Sequence, residues 1–130
     1  MERNQGGGDD SALNGICLIC NQGGTVCSTV GPWGSWRTSR TRLSGFDEFR
    51  FKYEKKQGKG DDSGANAVRL YAATTTYVYK TSNEGKWGKW STTKQCKSGR
   101  VICGIRTLVE RKRGSGDDTA LNGVQFKCCS

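Results

Sequence analysis

The sequence predicts an all-β protein, and three observations carry the prediction. A glycine–aspartate turn recurs three times, each copy leads into a segment that alternates apolar and polar residues, and no window of about 11 residues carries a helical apolar stripe. Nineteen glycines beside a single proline, Pro32, add frequent turns between short strands.

In chain order, residues 8–20 read G-D-D-S-A-L-N-G-I-C-L-I-C, residues 60–72 read G-D-D-S-G-A-N-A-V-R-L-Y-A, and residues 116–129 read G-D-D-T-A-L-N-G-V-Q-F-K-C-C. Their starts lie 52 and 56 residues apart, a period typical of stacked or pseudo-symmetric units. Each copy places an asparagine four residues after the second aspartate and then an alternating run. The runs are Ile16, Leu18, Cys20; Val68, Leu70, Ala72; and Val124, Phe126, Cys128, which describe strands buried on one face. The unit is therefore a turn followed by a strand.

A second signature, G-P-W-G-S-W at 31–36 and G-K-W-G-K-W at 85–90, recurs 54 residues apart. It divides a single domain, 1–130, into a partial first repeat of about residues 1–30, a second of about 31–84 and a third of about 85–130. Three full units at this period need about 160 residues, so the expectation is a chain lacking the first half of repeat 1. An incomplete sheet exposes strand edges, and self-association follows as an expectation.

Only 33% of the 130 residues are hydrophobic, which predicts a small or divided core. Twenty-one Lys and Arg against twelve Asp and Glu give a net charge of +9. Such a charge attracts polyanions and is weakened by salt. The cations cluster at Arg37, Arg40 and Arg42, at Lys52, Lys55, Lys56 and Lys59, and at Arg111, Lys112 and Arg113. Solvated strand and loop faces account for clusters of this kind, and acidic glycans or glycoproteins are the functional reading. No nucleic-acid-binding module accompanies the charge, so no nucleic-acid partner is expected. No apolar stretch approaches the roughly 20 residues that span a bilayer, and no membrane insertion is expected. The opening residues do not read as a secretory leader, so secretion is inferred from the cysteines.

The chain has no histidine. That removes Ser-His-Asp and Cys-His catalysis and most zinc sites, leaving no expected metal or cofactor. Any catalysis would rest on carboxylates. Nine of the twelve acids repeat in register: Asp9 and Asp10, Asp61 and Asp62, Asp117 and Asp118, and then Glu2, Glu54 and Glu110, each seven residues before its pair. Three equivalent sets argue for a structural role, with Asp and Asn side chains accepting turn N–H groups. The alternative is a glycosidase or transglycosidase pair drawn from Glu54, Asp61, Asp62, Glu110, Asp117 and Asp118. That chemistry requires two carboxyls about 5 to 9.5 Å apart. The G-D-D-[ST] spacing does not match a calcium loop.

Trp33 and Trp36, like Trp87 and Trp90, are three apart and would face opposite sides of a strand unless Gly34 and Gly88 introduce a bulge. Trp36 and Trp90 are expected in the core. Trp33 and Trp87, with Tyr71, Tyr77 and Tyr79, are the candidates for stacking on a sugar.

Seven cysteines in a turn-rich β chain predict disulfides and an oxidising compartment. Aligning the units places Cys96 at the position of Arg42 and Cys128 at that of Ala72, so the second repeat lacks both together. Correlated absence points to a Cys96–Cys128 bond and leaves Cys103 with Cys129, although the two C-terminal cysteines exchanged between those bonds would fit as well. Cys27 has either Cys17 or Cys20 as partner across a hairpin. The odd count leaves at least one thiol free or intermolecular. The C-x-x-C at 17–20 lies on an expected strand with no second copy and no histidine, which disfavours a redox or zinc role.

The paired tryptophan motifs, the three G-D-D-[ST]-[AG]-[LA]-N turns and the Cys128, Cys129 pair together resemble the vitelline membrane outer layer protein I family, and the likeness covers essentially the whole chain. The resemblance implies a β-prism of three Greek-key sheets, secretion, and a place in the outer layer of egg coats. It also implies an association with transfer of N-acetylglucosamine oligomers. The expected function is accordingly a secreted structural component of an extracellular coat or mucous layer that binds glycans or glycoproteins. An oligosaccharide transferase and a lectin with one sugar site per repeat are the alternatives.

Overall fold

The computed structural model describes residues 13–32, 34–36, 45–55, 64–72, 84–110 and 121–130, together with the backbone of 78–80. Nine strands and no helix occur among them: β1 (Cys17–Ile19), β2 (Thr25–Cys27), β3 (Glu48–Tyr53), β4 (Ala65–Tyr71), β5 (Val78–Lys80), β6 (Lys89–Trp90), β7 (Lys94–Gln95), β8 (Val101–Val109) and β9 (Leu121–Cys129). All pairings are antiparallel. The protein is all-β, in agreement with the alternation read from the sequence.

The strands form three sheets among the described residues. One is the β1–β2 hairpin, one has the order β5-β4-β3-β6 with β7 also pairing β3, and one is the long β8–β9 pair. β3 reads E-F-R-F-K-Y, a strict alternation that separates two faces. Phe49 and Phe51 point inward: Phe49 meets Phe126 of β9 edge-on at 4.7 Å between ring centroids, and Phe51 packs on the central cluster. Arg50 and Lys52 take the opposite face.

The centre is small. Its buried cluster is Leu13, Ala65 and Leu121, with Ile16, Phe51 and Val109 packed against it. Those three positions each immediately precede the turn asparagine of one copy, so residues 52 and 56 apart in sequence meet in space. Backbone bonds tie them as well: the Leu13 N–H donates to the Ala65 carbonyl at 2.9 Å, and the Leu121 N–H donates to the Leu13 carbonyl at 3.2 Å. With so few apolar residues in the chain, side chains such as Ile19, Val26 and Leu108 remain exposed.

Sheets also join through polar contacts. Thr107 Oγ1 on β8 donates to the Thr29 carbonyl at 2.8 Å, and the Ser28 and Thr107 hydroxyls are hydrogen-bonded. The middle sheet crosses the repeat boundary inferred at about residue 84. β6, which closes the second tryptophan motif, and β7, which follows it, pair with β3 rather than with β8 or β9.

Candidate functional site

The outer face of the middle sheet gathers the features that could meet a ligand. Lys52 on β3 stands opposite Trp90 on β6, and Arg50 on β3 stands opposite Arg69 on β4. The Arg69 guanidinium lies over the Trp90 ring at 4.2 Å from its centroid, within cation–π range, and the Lys52 ammonium approaches at 6.0 Å. Glu84 grips Arg69 with both oxygens, accepting from Nε at 2.8 Å and from the terminal nitrogen at 2.9 Å. This carboxylate, above all, raises the Arg69 pKa beyond its ordinary value, against a smaller desolvation effect. Arg50 donates to Thr93 Oγ1 at 2.8 Å.

The tryptophan turn enters the sheet through Gly88, whose φ of +87° is matched by +82° at Gly34 in the other copy. At Gly88 a side chain would also run into the Tyr53 carbonyl, so glycine is required twice over. Lys52 fastens the same turn, donating from Nζ to the Gly85 carbonyl at 2.8 Å and to the Lys86 carbonyl at 3.3 Å. Trp87 is left half exposed on the turn, with the Lys86 ammonium 5.2 Å from its ring centroid.

Trp90 is half-buried, but Trp36, expected in the core, is 63% exposed. The difference has a local cause. Cys17 holds the position that Arg69 holds in the next copy, and its sulfur is bonded to Cys27, so among the described residues the guanidinium that covers Trp90 has no counterpart over Trp36.

The candidate acids do not converge among the described residues. Glu54 follows β3, where its N–H donates to the Gly64 carbonyl at 2.8 Å. Glu110 follows β8 and accepts from the turn asparagine Asn122 at 3.1 Å. Asp61, Asp62, Asp117, Asp118, Trp33 and Tyr77 lie outside the described residues. Tyr79 contributes its backbone to β5 opposite Leu70, and Tyr71 sits half-buried opposite Glu48 and Val78.

Sulfurs join Cys17 to Cys27, Cys96 to Cys128 and Cys103 to Cys129. Cys20 carries an exposed free thiol. The hairpin register decides between Cys17 and Cys20, because Cys17 lies directly opposite Cys27 across β1 and β2.

The family described as vitelline membrane outer layer protein I matches residues 1–130, the whole chain. The chain belongs to the vitelline membrane outer layer protein I family. It is 36% identical over 132 residues to a mouse vitelline membrane outer layer protein 1 homolog, covering 95% of this chain and 64% of the mouse protein. A human vitelline membrane outer layer protein 1 homolog is 34% identical over 131 residues, covering 94% of this chain and 63% of the human protein. The chain thus spans less than two thirds of the length of these relatives.

In this member of the vitelline membrane outer layer protein I family, Arg50, Arg69 and Glu84 come together as a group that the sequence alone does not reveal. The signal was present in part. Alternation in F-R-F-K-Y puts Arg50 and Lys52 on one face of β3, whereas the partnership with Arg69 and Trp90 depends on which strands pair.

Proposed function

We propose that the chain is a secreted structural component of an extracellular coat or mucous layer, retained there by contacts with acidic glycans or glycoproteins. The observation that carries this reading is membership of the vitelline membrane outer layer protein I family in a chain cross-linked by three disulfides. Disulfides of this kind form and persist in oxidising, extracytoplasmic compartments. The +9 charge and the cationic, aromatic face of the middle sheet support an acidic glycan as the contact.

A structural role suits the acids as well. Glu110 spends its carboxylate on Asn122, supporting the turn that leads into β9. The test has two parts. Immobilised mucin should retain the folded chain at low salt and release it as salt rises, and a ladder of N-acetylglucosamine oligomers should keep its length distribution after incubation. Failure of retention at low salt would remove the glycan contact, whereas longer and shorter oligomers appearing together would replace the coat role with transfer.

A further inference from the structure

The middle sheet places like charges where a sheet ordinarily avoids them. Arg50 faces Arg69 across β3 and β4, and Lys80 holds the register position opposite Arg69 on β5. Like charges directly opposite are destabilising, so a row of three cationic positions needs a compensating partner. Within the described residues the row has one carboxylate on it, Glu84, bound to Arg69. Arg50 is exposed and its guanidinium contact is to a neutral hydroxyl, Thr93. Lys52 extends the cationic surface toward the tryptophan turn, where its bonds are to carbonyls rather than to an acid.

We infer that this face binds a sulphated or carboxylated oligosaccharide chain, with Arg50, Lys52 and Arg69 receiving its anionic groups and the exposed Trp87 ring supporting a sugar at the edge. The inference rests on the glycan reading proposed above and assigns it to one face. Several features suit it. Neighbouring strands lie about 4.8 Å apart, so the cations form a fixed comb rather than a diffuse cloud. Guanidinium forks match planar and tetrahedral oxyanions with paired hydrogen bonds. The cationic side chains are already held, Arg69 over Trp90, Arg50 by Thr93 and Lys52 by two carbonyls, which lowers the ordering cost on binding. Trp87 presents a half-exposed apolar ring beside the turn that Lys52 fastens. A nucleic acid is the rival polyanion, and the disulfide-bonded setting favours the glycan.

The experiment measures binding of heparin, hyaluronan and neutral dextran to the 130-residue chain by titration calorimetry at several salt concentrations. Heparin carries sulfate and carboxylate, hyaluronan carboxylate alone. Binding to heparin, to hyaluronan or to both, without binding to dextran, is expected, and their order identifies the anionic group read. An R50Q/K52Q double variant should bind about tenfold or more weakly, the loss of a charge-assisted contact. A K97Q/R100Q variant removes the same charge from the exposed segment before β8 and should bind within about twofold of the parent.

If the parent chain binds no acidic polysaccharide, the glycan reading itself fails. If it binds and the double variant binds equally well, the reading stands and this face is wrong. Equal loss in K97Q/R100Q would mean diffuse charge attraction and would also overturn the face. A single-stranded DNA oligomer that outcompetes heparin would overturn the sugar assignment. Should R50Q/K52Q fail to fold, E84Q tests the same row with opposite sign: tighter heparin binding supports the site, and unchanged or weaker binding overturns it.

Discussion

The carbonyl of Asn66 accepts the N–H of Gly85 at 2.8 Å, joining the turn asparagine of one copy to the first residue of the following tryptophan motif. Asn14 and Gly31 make the same bond in the preceding copy. The two sequence signatures are thus halves of one joint. They recur out of phase because the first two turns each reach forward to the tryptophan motif that follows.

Gly85 is buried against the Asn66 side chain, and an added Cβ would overlap its amide. Gly85→Ala is expected to cost about 1–3 kcal/mol through overpacking. Thermal unfolding of the two proteins checks it; an unchanged midpoint would mean that the joint relaxes freely.

Leu121 is 0% exposed and Leu108, on the paired strand, is 67% exposed. Leu121→Ala should therefore lose about 2–5 kcal/mol, the cost of emptying a core site. Leu108→Ala should stay within about 0.5 kcal/mol. Urea titrations of both variants separate the inward from the outward register of β8 and β9.

The Cys96–Cys128 bond closes a separation of 32 residues and ties the segment after β7 to the end of β9. Removing it with paired serines should lower stability by about 3–4 kcal/mol through the entropy returned to the unfolded chain. Thiol titration of the folded, unreduced protein should find one reactive group, Cys20. Denaturation with reduction should raise the count to seven, the number of cysteines in the chain. Two or more reactive thiols before reduction would contradict the pairing.

Arg69 and Glu84 are each about a quarter exposed, so the pair is a partly screened one. Glu84→Gln should cost about 1 kcal/mol or less. Trp90→Ala should cost more, since it removes both the cation–π contact and half-buried ring area. Arg69 holds its proton more tightly when folded, so its contribution is complete below the ordinary arginine range and is lost only in strong alkali. Stability measured through the neutral range should show no slope from this guanidinium.

The sequence by itself determined the fold class and the recurrence of the turn motif, and it narrowed the partner of Cys96 to the two C-terminal cysteines. Alternation with period two is a local property of a strand, and repeated turns carry their own backbone chemistry, so both are legible without coordinates. The tertiary structure alone decided which strands meet. It placed β6 and β7 beside β3 across a repeat boundary, set Arg50 against Arg69, and covered Trp90 while leaving Trp36 bare. Those outcomes depend on pairing between residues far apart in sequence. Sequence patterning sets which way a side chain faces, and packing decides what lies opposite it.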